Sequence, residues 1–384
     1  MPRLIWLLAA LATSWAPAVL SSSLDHFALQ KVLTDASPIF GDYSHTSTSK
    51  AEWMKKYPDD TLLVHMNIPG THDSATWNYT QATQDANRGI TELNQVAPPV
   101  PEALRCQQLP LIDMLNMGIR VFDLRYAFDP TNTSIIFYHS QGLLSETVSL
   151  DNVLFGFYRW LDDHPSEALF LSLQYEGSTA KYASNNAALQ NKLFYTLTSA
   201  AARHYFVQTK NRLGTLGQAR GKITLLRRFD LDRLPSSYTD SLPGLHFSPS
   251  QWEDNGVNIS LTYNSKENLT AYIEDYYQPL TPFGSNATEN IQWKYNATTT
   301  NLIKAAAQHQ DSLFWTWASG TNTLNAPPDW PRTMALGNGS LMPSGGVNQR
   351  LLEFFKQQKG KRLGMVMFDF FDQPSELVDT FLQI

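Results

Sequence analysis

The composition of the chain is informative first through what is scarce. Its 384 residues contain one cysteine, Cys106, so no disulfide can form within the chain, and we expect a buried small hydrophobe there. Basic residues do not predominate, because 29 Lys and Arg stand against 35 Asp and Glu, a formal net charge of −6. This balance gives no support to a nucleic-acid partner and disfavours an electrostatic grip on anionic membranes.

Several motifs are also missing. No repeat of about 20–50 residues and no long low-complexity tract occurs. Ser74 lacks a surrounding G-x-S-x-G motif, which argues against a serine hydrolase. No EF-hand or zinc-ligand spacing is present. With 42% apolar and 17% charged residues, the chain can build a sizeable core.

The first residues have the pattern of a secretory signal. Arg3 precedes an apolar run at 4–12, and Ala16 and Ala18 have the spacing of a cleavage site. The run is too short to span a membrane. We therefore predict a signal peptide at 1–22, one folded domain at 23–384, and secretion.

Glycosylation acceptors favour the same destination. Seven N-x-S/T sequons behind a signal sequence are typical of a glycoprotein of the secretory route. N-linked glycans are predicted partners at Asn78, Asn132, Asn258, Asn268, Asn286, Asn296 and Asn338.

Short apolar runs alternate with helical patterns along most of the chain. The runs are near-continuously apolar, as in parallel strands buried on both faces. Eight or so such strands favour an α/β fold, a single (β/α)8-type, TIM-like barrel that need not be regular, although an open doubly wound sheet would share the pattern. Predicted strands are 61–68, 119–127, 134–139, 168–175, 222–229, 257–263, 313–319 and 363–371. Predicted helices are 109–117, 150–163, 185–204, 266–277, 299–309, 348–358 and 374–382.

Two segments, 82–105 and 278–298, are predicted to be long loops, the second solvent-facing because it carries two sequons. Polar residues concentrate where the predicted strands end, and in a (β/α) barrel that end carries the active site. They are His72, Arg125, His139, Glu176, Arg228, Tyr263, Ser319 and Asp369.

Three neighbouring segments carry the most specific chemistry. IPGTHDS (68–74) presents a His-Asp pair after a strand end, and a histidine there can exchange a proton near neutral pH. In GIRVFDLR (118–125), alternation places Asp123 and Arg125 on one side of a strand. That pair is either a structural salt bridge or an arginine aimed at an anion such as phosphate. YHSQG then places His139 at the next strand end.

In combination these segments resemble the X domain of the phosphatidylinositol-specific phospholipases C, in its bacterial-type, single-domain branch. HPSEALFLSLQYE (164–176), RGKITLLRRF (220–229) and GMVMFDFF (364–371) continue the resemblance in order along the chain. It implies a barrel that cleaves the phosphodiester of a phosphatidylinositol-type lipid or glycolipid at a membrane surface, with no cofactor.

The resemblance also implies roles for individual residues. His72 corresponds to the general base for the inositol 2-hydroxyl, and Asp369 to the carboxylate that orients it. Arg125 corresponds to the residue that neutralises charge on the phosphoryl oxygens. His139, supported by Asp73, corresponds to the general acid for the diacylglycerol oxygen. The implied inositol pocket is lined by Arg228 and Tyr263, with Gln174 near the phosphate.

Two features bear on metal and headgroup. Metal-dependent members of the family carry a carboxylate where this chain has Arg125, so we expect metal independence and no metal ligands. Gln174 and Tyr175 stand where bacterial relatives tend to have lysines near the phosphate, and Leu261 takes the place of an aspartate that holds inositol hydroxyls. Both departures point towards a relaxed or different headgroup preference.

Two alternatives remain open. One is a phosphodiesterase of the same fold that acts on another phospholipid headgroup, a class that normally needs acidic metal ligands. The other is a catalytically silent secreted binding module. Trp315 and Trp317, on one side of a predicted strand, are interpreted as core residues.

Overall fold

A computed structural model describes residues 23–91, 99–176 and 184–384. The predicted signal peptide lies outside these residues, as does part of the predicted loop at 82–105. Within the described ranges, no helix combines the length and the apolar character needed to cross a membrane.

Strands and helices alternate along the described chain. The strands are β1 (Ile68–Thr71), β2 (Val121–Phe128), β3 (Ile135–His139), β4 (Gly142–Leu143), β5 (Ala168–Tyr175), β6 (Lys222–Arg228), β7 (Leu245–His246), β8 (Ile259–Asn264), β9 (Leu269–Glu274), β10 (Leu313–Trp317) and β11 (Met365–Phe368). The helices are α1 (Ser23–Phe40), α2 (Gln81–Ala86), α3 (Arg88–Thr91), α4 (Leu111–Asn116), α5 (Leu150–Asp163), α6 (Ala187–Thr198), α7 (Ala200–Tyr205), α8 (Leu216–Ala219), α9 (Ser236–Ser241), α10 (Ala287–Ala307), α11 (Pro331–Leu336), α12 (Val347–Phe355) and α13 (Leu377–Leu382).

The main sheet curves into a nearly closed barrel, as predicted. Its order is β7-β6-β5-β2-β1-β11-β10-β9-β8. All neighbours in that order are parallel except β8, which pairs antiparallel with β9 at one edge. Strand β3 leaves the barrel as an antiparallel partner of β2 and forms a hairpin with β4. The carboxyl-terminal ends of the parallel strands therefore meet at one mouth.

Alternation along the strands separates two apolar layers. Phe122 and Leu124 of β2 belong to the outer cluster beneath the helices, whereas Val121 belongs to the inner cluster that fills the barrel. Trp315 and Trp317 also lie in the inner cluster, with stacked rings whose centroids are 5.3 Å apart. Their prediction as core residues is therefore confirmed. The inner cluster fills the barrel below the mouth in the described part of the chain. The mouth is therefore the place where a polar ligand can enter.

Two predicted elements are wrong, and local turn chemistry explains one of them. The segment predicted as a helix at 266–277 forms strand β9, because Asn264 Oδ1 accepts the backbone N–H groups of Lys266 and Glu267 and turns the chain into a β8–β9 hairpin. Most of the strand predicted at 61–68 is a bridge at Leu62 and a 3₁₀ turn, and the barrel strand β1 begins where that prediction ended.

The loop predicted at 278–298 is also largely wrong. Helix α10 begins within it, where the side chain of the N-cap Asn286 accepts the backbone N–H of Glu289. Asn286 and Asn296 are nevertheless exposed, as the prediction required. The predicted helix at 185–204 is divided into α6 and α7 at Ser199, which caps the second.

A buried ion pair joins β9 to α10 close to the mouth. Lys294 Nζ lies 2.5 Å from Glu274 Oε1, and both side chains are fully buried. Glu274 also accepts the backbone N–H of Tyr276, and burial raises the pKa of its carboxyl group. The pair thus holds the chain as it leaves β9.

Replacing Lys294 with methionine is expected to lower the free energy of unfolding by about 3–5 kcal/mol, because an unpaired charge at Glu274 would remain buried. Urea unfolding measures the change. Lys356→Met is a matched control, since Lys356 pairs with Glu353 at the surface and its loss should cost less than about 1 kcal/mol. Equal losses for the two variants would contradict the prediction.

Candidate active site

The predicted acid–base residues come together at the barrel mouth. We call this group the mouth cluster: His72, Asp73, Arg125, His139 and Asp369. They meet because β1, which His72 follows, is hydrogen-bonded to both β2 and β11, and β2 carries β3. The side chains of His72 and His139 keep 12% and 14% of their surface exposed, so both rings are reachable from solvent.

Three residues in or next to the mouth cluster have left-handed backbone conformations, which non-glycine residues rarely adopt. Each follows a cluster residue directly: Asp73 (φ 40°) follows His72, Ser140 (φ 50°) follows His139, and Phe370 (φ 44°) follows Asp369. Strain of this kind costs about 1–3 kcal/mol per residue and persists where surrounding contacts impose it. At Phe370, the backbone N–H donates to the Cys106 carbonyl and the backbone carbonyl accepts the Asn348 side-chain amide.

The ring of His72 is oriented by Asp369. Its Nδ1 lies 2.8 Å from Asp369 Oδ1, so Nδ1–H donates to the carboxylate and Nε2 faces the mouth. Arg125 Nη2 lies 2.9 Å from that Nε2. Burial lowers the pKa of His72, but the charges of Asp369, Cys106 and Asp73 outweigh it and raise that pKa well above its usual range.

Asp73 links the two histidines. Its Oδ2 lies 3.1 Å from His72 Nε2 and 3.2 Å from His139 Nε2. Although burial raises the pKa of Asp73, the charges of Arg125 and the two histidines hold it well below its usual range. His139 Nδ1 donates to the carbonyl of Leu104 over 2.7 Å, so its Nε2 is the nitrogen available for proton transfer.

Arg125 is held by carboxylates on several sides. Its Nε lies 3.2 Å from both Asp73 Oδ1 and Asp123 Oδ2, and Nη1 lies 3.4 Å from Glu176 Oε1. Burial lowers the pKa of Arg125, but these carboxylates raise it well above its usual range, so the guanidinium stays charged. The Asp123–Arg125 salt bridge exists, and the same bridge orients Nη2 towards His72. Both interpretations of the sequence pair are thus compatible with the geometry.

A second arginine lies beside the cluster. Arg228 Nη2 lies 3.4 Å from Asp275 Oδ2, and its guanidinium carbon lies 3.8 Å from the centre of the Trp252 ring. Trp317 flanks the same guanidinium at 4.9 Å and also contacts the His72 ring. Burial lowers the pKa of Arg228, and its Nη1 lies 3.9 Å from Asp123 Oδ1 but makes no hydrogen bond. This N–H group can therefore donate to an incoming polar group.

The acid beside Arg228 corrects the sequence interpretation of Leu261. Leu261 lies on the antiparallel strand β8 within the inner apolar cluster, whereas Asp275, directly after β9, is the carboxylate in contact with Arg228. The sequence motifs did not identify Asp275 and Trp252 as neighbours of Arg228. The alternation of buried Ala271 and Ile273 could have revealed the strand, and with it an acid at the strand end.

Gln174 and Tyr263 have different surroundings. Gln174 is in register with Arg125 on one side and Arg228 on the other, so it faces the same way between them, and its Oε1 has no hydrogen-bond partner. Tyr263 lies near the amino-terminal end of β9 because β8 runs antiparallel. It packs on Phe247 in the inner cluster, away from the mouth cluster.

Cys106 is buried beside the two histidines. Its Sγ lies 4.0 Å from His139 Nδ1, and burial raises the pKa of the thiol well above its usual range. Its backbone N–H donates to Thr76. Its burial agrees with the prediction, but the thiol adjoins the mouth cluster rather than a purely apolar core.

Three overlapping groups could converge on a cation within the described residues. In each group one ligand atom per residue lies within 4.8 Å of the others: His72, Cys106 and Asp369; Asp73, Cys106 and His139; and His72, Asp73 and Asp123. The first two combine nitrogen, sulfur and oxygen, a donor set that suits zinc-like ions. Neither resembles the oxygen cage of a calcium or magnesium site.

Two histidines and a carboxylate-held arginine at the mouth of a barrel suit an enzyme that cleaves phosphodiesters. The family profile of the phosphatidylinositol-specific phospholipase C X domain matches residues 102–229. This match agrees with the resemblance that the sequence motifs carry.

Relatives of known sequence and structure agree with that resemblance. The 1-phosphatidylinositol phosphodiesterase of Staphylococcus aureus strain Newman is 26% identical over 248 residues, 60% of this chain and 67% of the relative. PI-PLC X domain-containing protein 1 of Danio rerio is 30% identical over 138 residues, which cover 33% of this chain and 44% of that protein. The solved structure of a variant of the S. aureus phosphatidylinositol-specific phospholipase C superposes with a TM-score of 0.66 at 19% identity, over 87% of this chain and 97% of that one, and the two share the barrel fold.

Proposed function

We propose that this protein cleaves the phosphodiester of a phosphatidylinositol-type lipid, free or glycan-linked, to diacylglycerol and a cyclic inositol phosphate. One observation carries the proposal. The base nitrogen of His72 lies 2.9 Å from an Arg125 nitrogen. His72 and His139 both contact the carboxylate of Asp73. A phosphate bound to that arginine would adjoin one proton acceptor and one proton donor.

The reaction can be balanced with these groups. His72 Nε2 takes the proton of the inositol 2-hydroxyl, and the freed oxygen forms a bond to phosphorus. The bond from phosphorus to the glycerol oxygen breaks, and His139 donates the proton that this oxygen receives. Arg125 offsets charge on the phosphoryl oxygens, and because the nucleophile belongs to the substrate, no water is needed in this step.

The headgroup would bind on the Arg228 side of the mouth. Arg228 Nη1 supplies a donor and Gln174 Oε1 an acceptor, neither of which makes a hydrogen bond within the protein, and Asp275 adds a carboxylate. Trp252 and Trp317 form apolar walls around the arginine. This mixture suits a polyol ring, which offers hydroxyl groups in its plane and C–H groups on its faces. Tyr263 has no part in this proposal.

We also propose that the reaction needs no metal ion. Arg125 carries the positive charge that a metal would supply, and three carboxylates hold it in place. Because this charge already faces the phosphate position, offsetting the phosphoryl charge requires no metal ion.

Phosphorus NMR on phosphatidylinositol micelles in excess chelator tests both proposals. The wild-type protein is expected to produce a cyclic inositol phosphate signal, and His72→Ala is not. Activity that appears only when metal is restored would overturn metal independence. No product with or without metal would point to another headgroup, and micelles of other phospholipids would then be tested.

The mouth carries exposed apolar side chains suited to a lipid surface. Leu280 and Phe283 follow β9, and Phe283 is 87% exposed. Leu324 follows β10, and Asn325 hydrogen-bonds Gly284 and Ser285, which ties the two loops together. The opening through which a lipid headgroup would enter is thus bordered by groups that favour the acyl region. A glycan at Asn286, three residues after Phe283, would oppose close approach, so docking through this loop requires Asn286 to be unmodified.

Replacing Phe283 with alanine is expected to weaken partition onto phosphatidylcholine vesicles by about tenfold or more, because burial of a phenylalanine side chain contributes about 1.5–3 kcal/mol. Vesicle sedimentation measures the change. Phe27→Ala is a matched control, since Phe27 is 63% exposed near the start of α1 and does not belong to the loops that follow β9 and β10. Equal weakening by both variants would argue against docking through the mouth.

Secretion and glycosylation remain part of the proposal. Six of the seven predicted acceptors are exposed: Asn132, Asn258, Asn268, Asn286, Asn296 and Asn338. Asn78 is half-buried, and its side-chain amide donates to the carbonyl of Pro38, so we expect little glycosylation there. Peptide mapping after glycosidase treatment of the secreted protein would measure occupancy at each position.

A further inference from the structure

Cys106 is a buried nucleophile at the mouth that the proposed reaction does not use. Its sulfur adjoins both catalytic histidines, and it belongs to two of the three groups whose ligand atoms lie within 4.8 Å. A thiol, an imidazole and a carboxylate within this distance form a donor set that zinc favours.

The ring nitrogen of His139 that faces away from Asp73 is held as in a metal-bound histidine. A metal-bound histidine almost always donates its other ring N–H to a carbonyl or carboxylate, which fixes the free nitrogen towards the ion. His139 Nδ1 donates to the Leu104 carbonyl, so Nε2 is directed towards Asp73. His139 thus already directs Nε2 towards Asp73, whereas the Cys106 sulfur lies 4.0 Å from Nδ1 and would have to move towards Nε2.

An unsatisfied oxygen points independently to a ligand at the same place. Asp73 is 1% exposed, and its Oδ2 completes no aligned hydrogen bond despite the two nearby histidines. Its other oxygen contacts Arg125, so Oδ2 can bind an ion while that salt bridge persists. Ligand atoms in a tetrahedral zinc site lie about 3.5 Å apart. Atoms already within 4.8 Å need small side-chain movements to reach that spacing.

We propose that Zn²⁺ binds Cys106, His139 and Asp73 and thereby blocks the active site. The ion would occupy the nitrogen that donates the proton and the carboxylate that joins the two histidines. It releases the thiol proton to solvent, so binding tightens as pH rises. The inhibitory consequence rests on the proposed function, whereas the binding site does not.

Binding is tested without any substrate. Titration of the purified protein with Cd²⁺, an analogue of Zn²⁺, is expected to produce the ultraviolet absorption of a cadmium–thiolate bond with a stoichiometry of about one ion per chain. Cys106→Ser should abolish that absorption. Its fold should survive, because the backbone hydrogen bonds of residue 106 to Thr76 and Phe370 do not involve the sulfur. Cys106→Ala provides a second thiol-free protein if the serine variant folds poorly.

Measurements of substrate turnover test whether bound Zn²⁺ blocks the active site. Zn²⁺ is expected to inhibit wild-type cleavage reversibly, with full recovery in excess chelator. In Cys106→Ser the half-inhibiting concentration should rise by at least about tenfold, since loss of even an outer partner of a metal ligand costs that much. Equal inhibition of the two proteins, or no cadmium–thiolate absorption in the wild type, would overturn the site. An inactive wild type with intact cadmium binding would instead refute the proposed function alone.

Discussion

Replacing His72 with alanine is expected to lower kcat on phosphatidylinositol by about 10²–10⁴-fold, because the 2-hydroxyl would lose its proton acceptor. The alanine also removes the ring that Asp369 holds at 2.8 Å, so no neighbouring group can replace the base in the same geometry. Rates measured by phosphorus NMR or release of water-soluble phosphate would quantify the loss. The apparent affinity for substrate should change much less than kcat.

His65→Ala is the matched control for this variant. His65 precedes β1, pairs with Asp311 at the surface, and lies at the opposite end of that strand from His72. Its replacement should leave kcat within about twofold, since surface pairs contribute little. A comparable loss in both variants would indicate damage to β1 rather than removal of a base.

The environment of His72 also predicts a pH dependence. Burial lowers the pKa of His72 but Asp369 raises it, and the net effect is a pKa well above the usual range. The base works when deprotonated, so kcat/KM should rise as pH increases through that pKa. Asp369→Asn removes the charge and should move this acidic limb to lower pH, together with a lower maximum rate. An unmoved limb would assign it to another group.

Replacing Arg125 with glutamine is expected to lower kcat by about 10²–10³-fold, the typical cost of removing one group that stabilises charge in a transition state. Arg125→Lys should recover only part of the rate. A lysine keeps the charge but lacks the planar fork that meets Asp73, Asp123 and Glu176 simultaneously. Steady-state kinetics on soluble and micellar substrate would measure both variants.

Folding must be checked in the Arg125 variants, because removing the arginine leaves buried carboxylates without their counter-ion. The lysine variant is the more informative of the two, since it retains a charge at this position. Arg212→Lys is the matched control: Arg212 is exposed and pairs with Glu267 beyond the β8–β9 end of the barrel. A full rate in well-folded Arg125→Lys would exclude a specific role for the guanidinium.

Local sequence was sufficient for much of the fold. The strands β2, β5 and β6 could be predicted because each is a continuous apolar run flanked by turns, and α5 because its apolar face repeats at helical spacing. Strand β9 was not predicted because its Leu, Ala and Glu residues are strong helix formers. Only pairing with β8 and β10 selects the extended form.

The amino-acid sequence by itself determined an α/β fold of alternating strands and helices, and its motifs identified the residues of the mouth cluster. Because strand ends converge in an open sheet as well as in a barrel, the strand pattern alone did not select the barrel. Only the tertiary structure decided which side chains contact one another at the mouth. It assigned Asp275 and Trp252 to Arg228, excluded Tyr263 from the mouth, and brought Cys106 against His139. These contacts depend on the direction of β8 and on the course of connecting segments, which long-range pairing sets and local sequence does not encode.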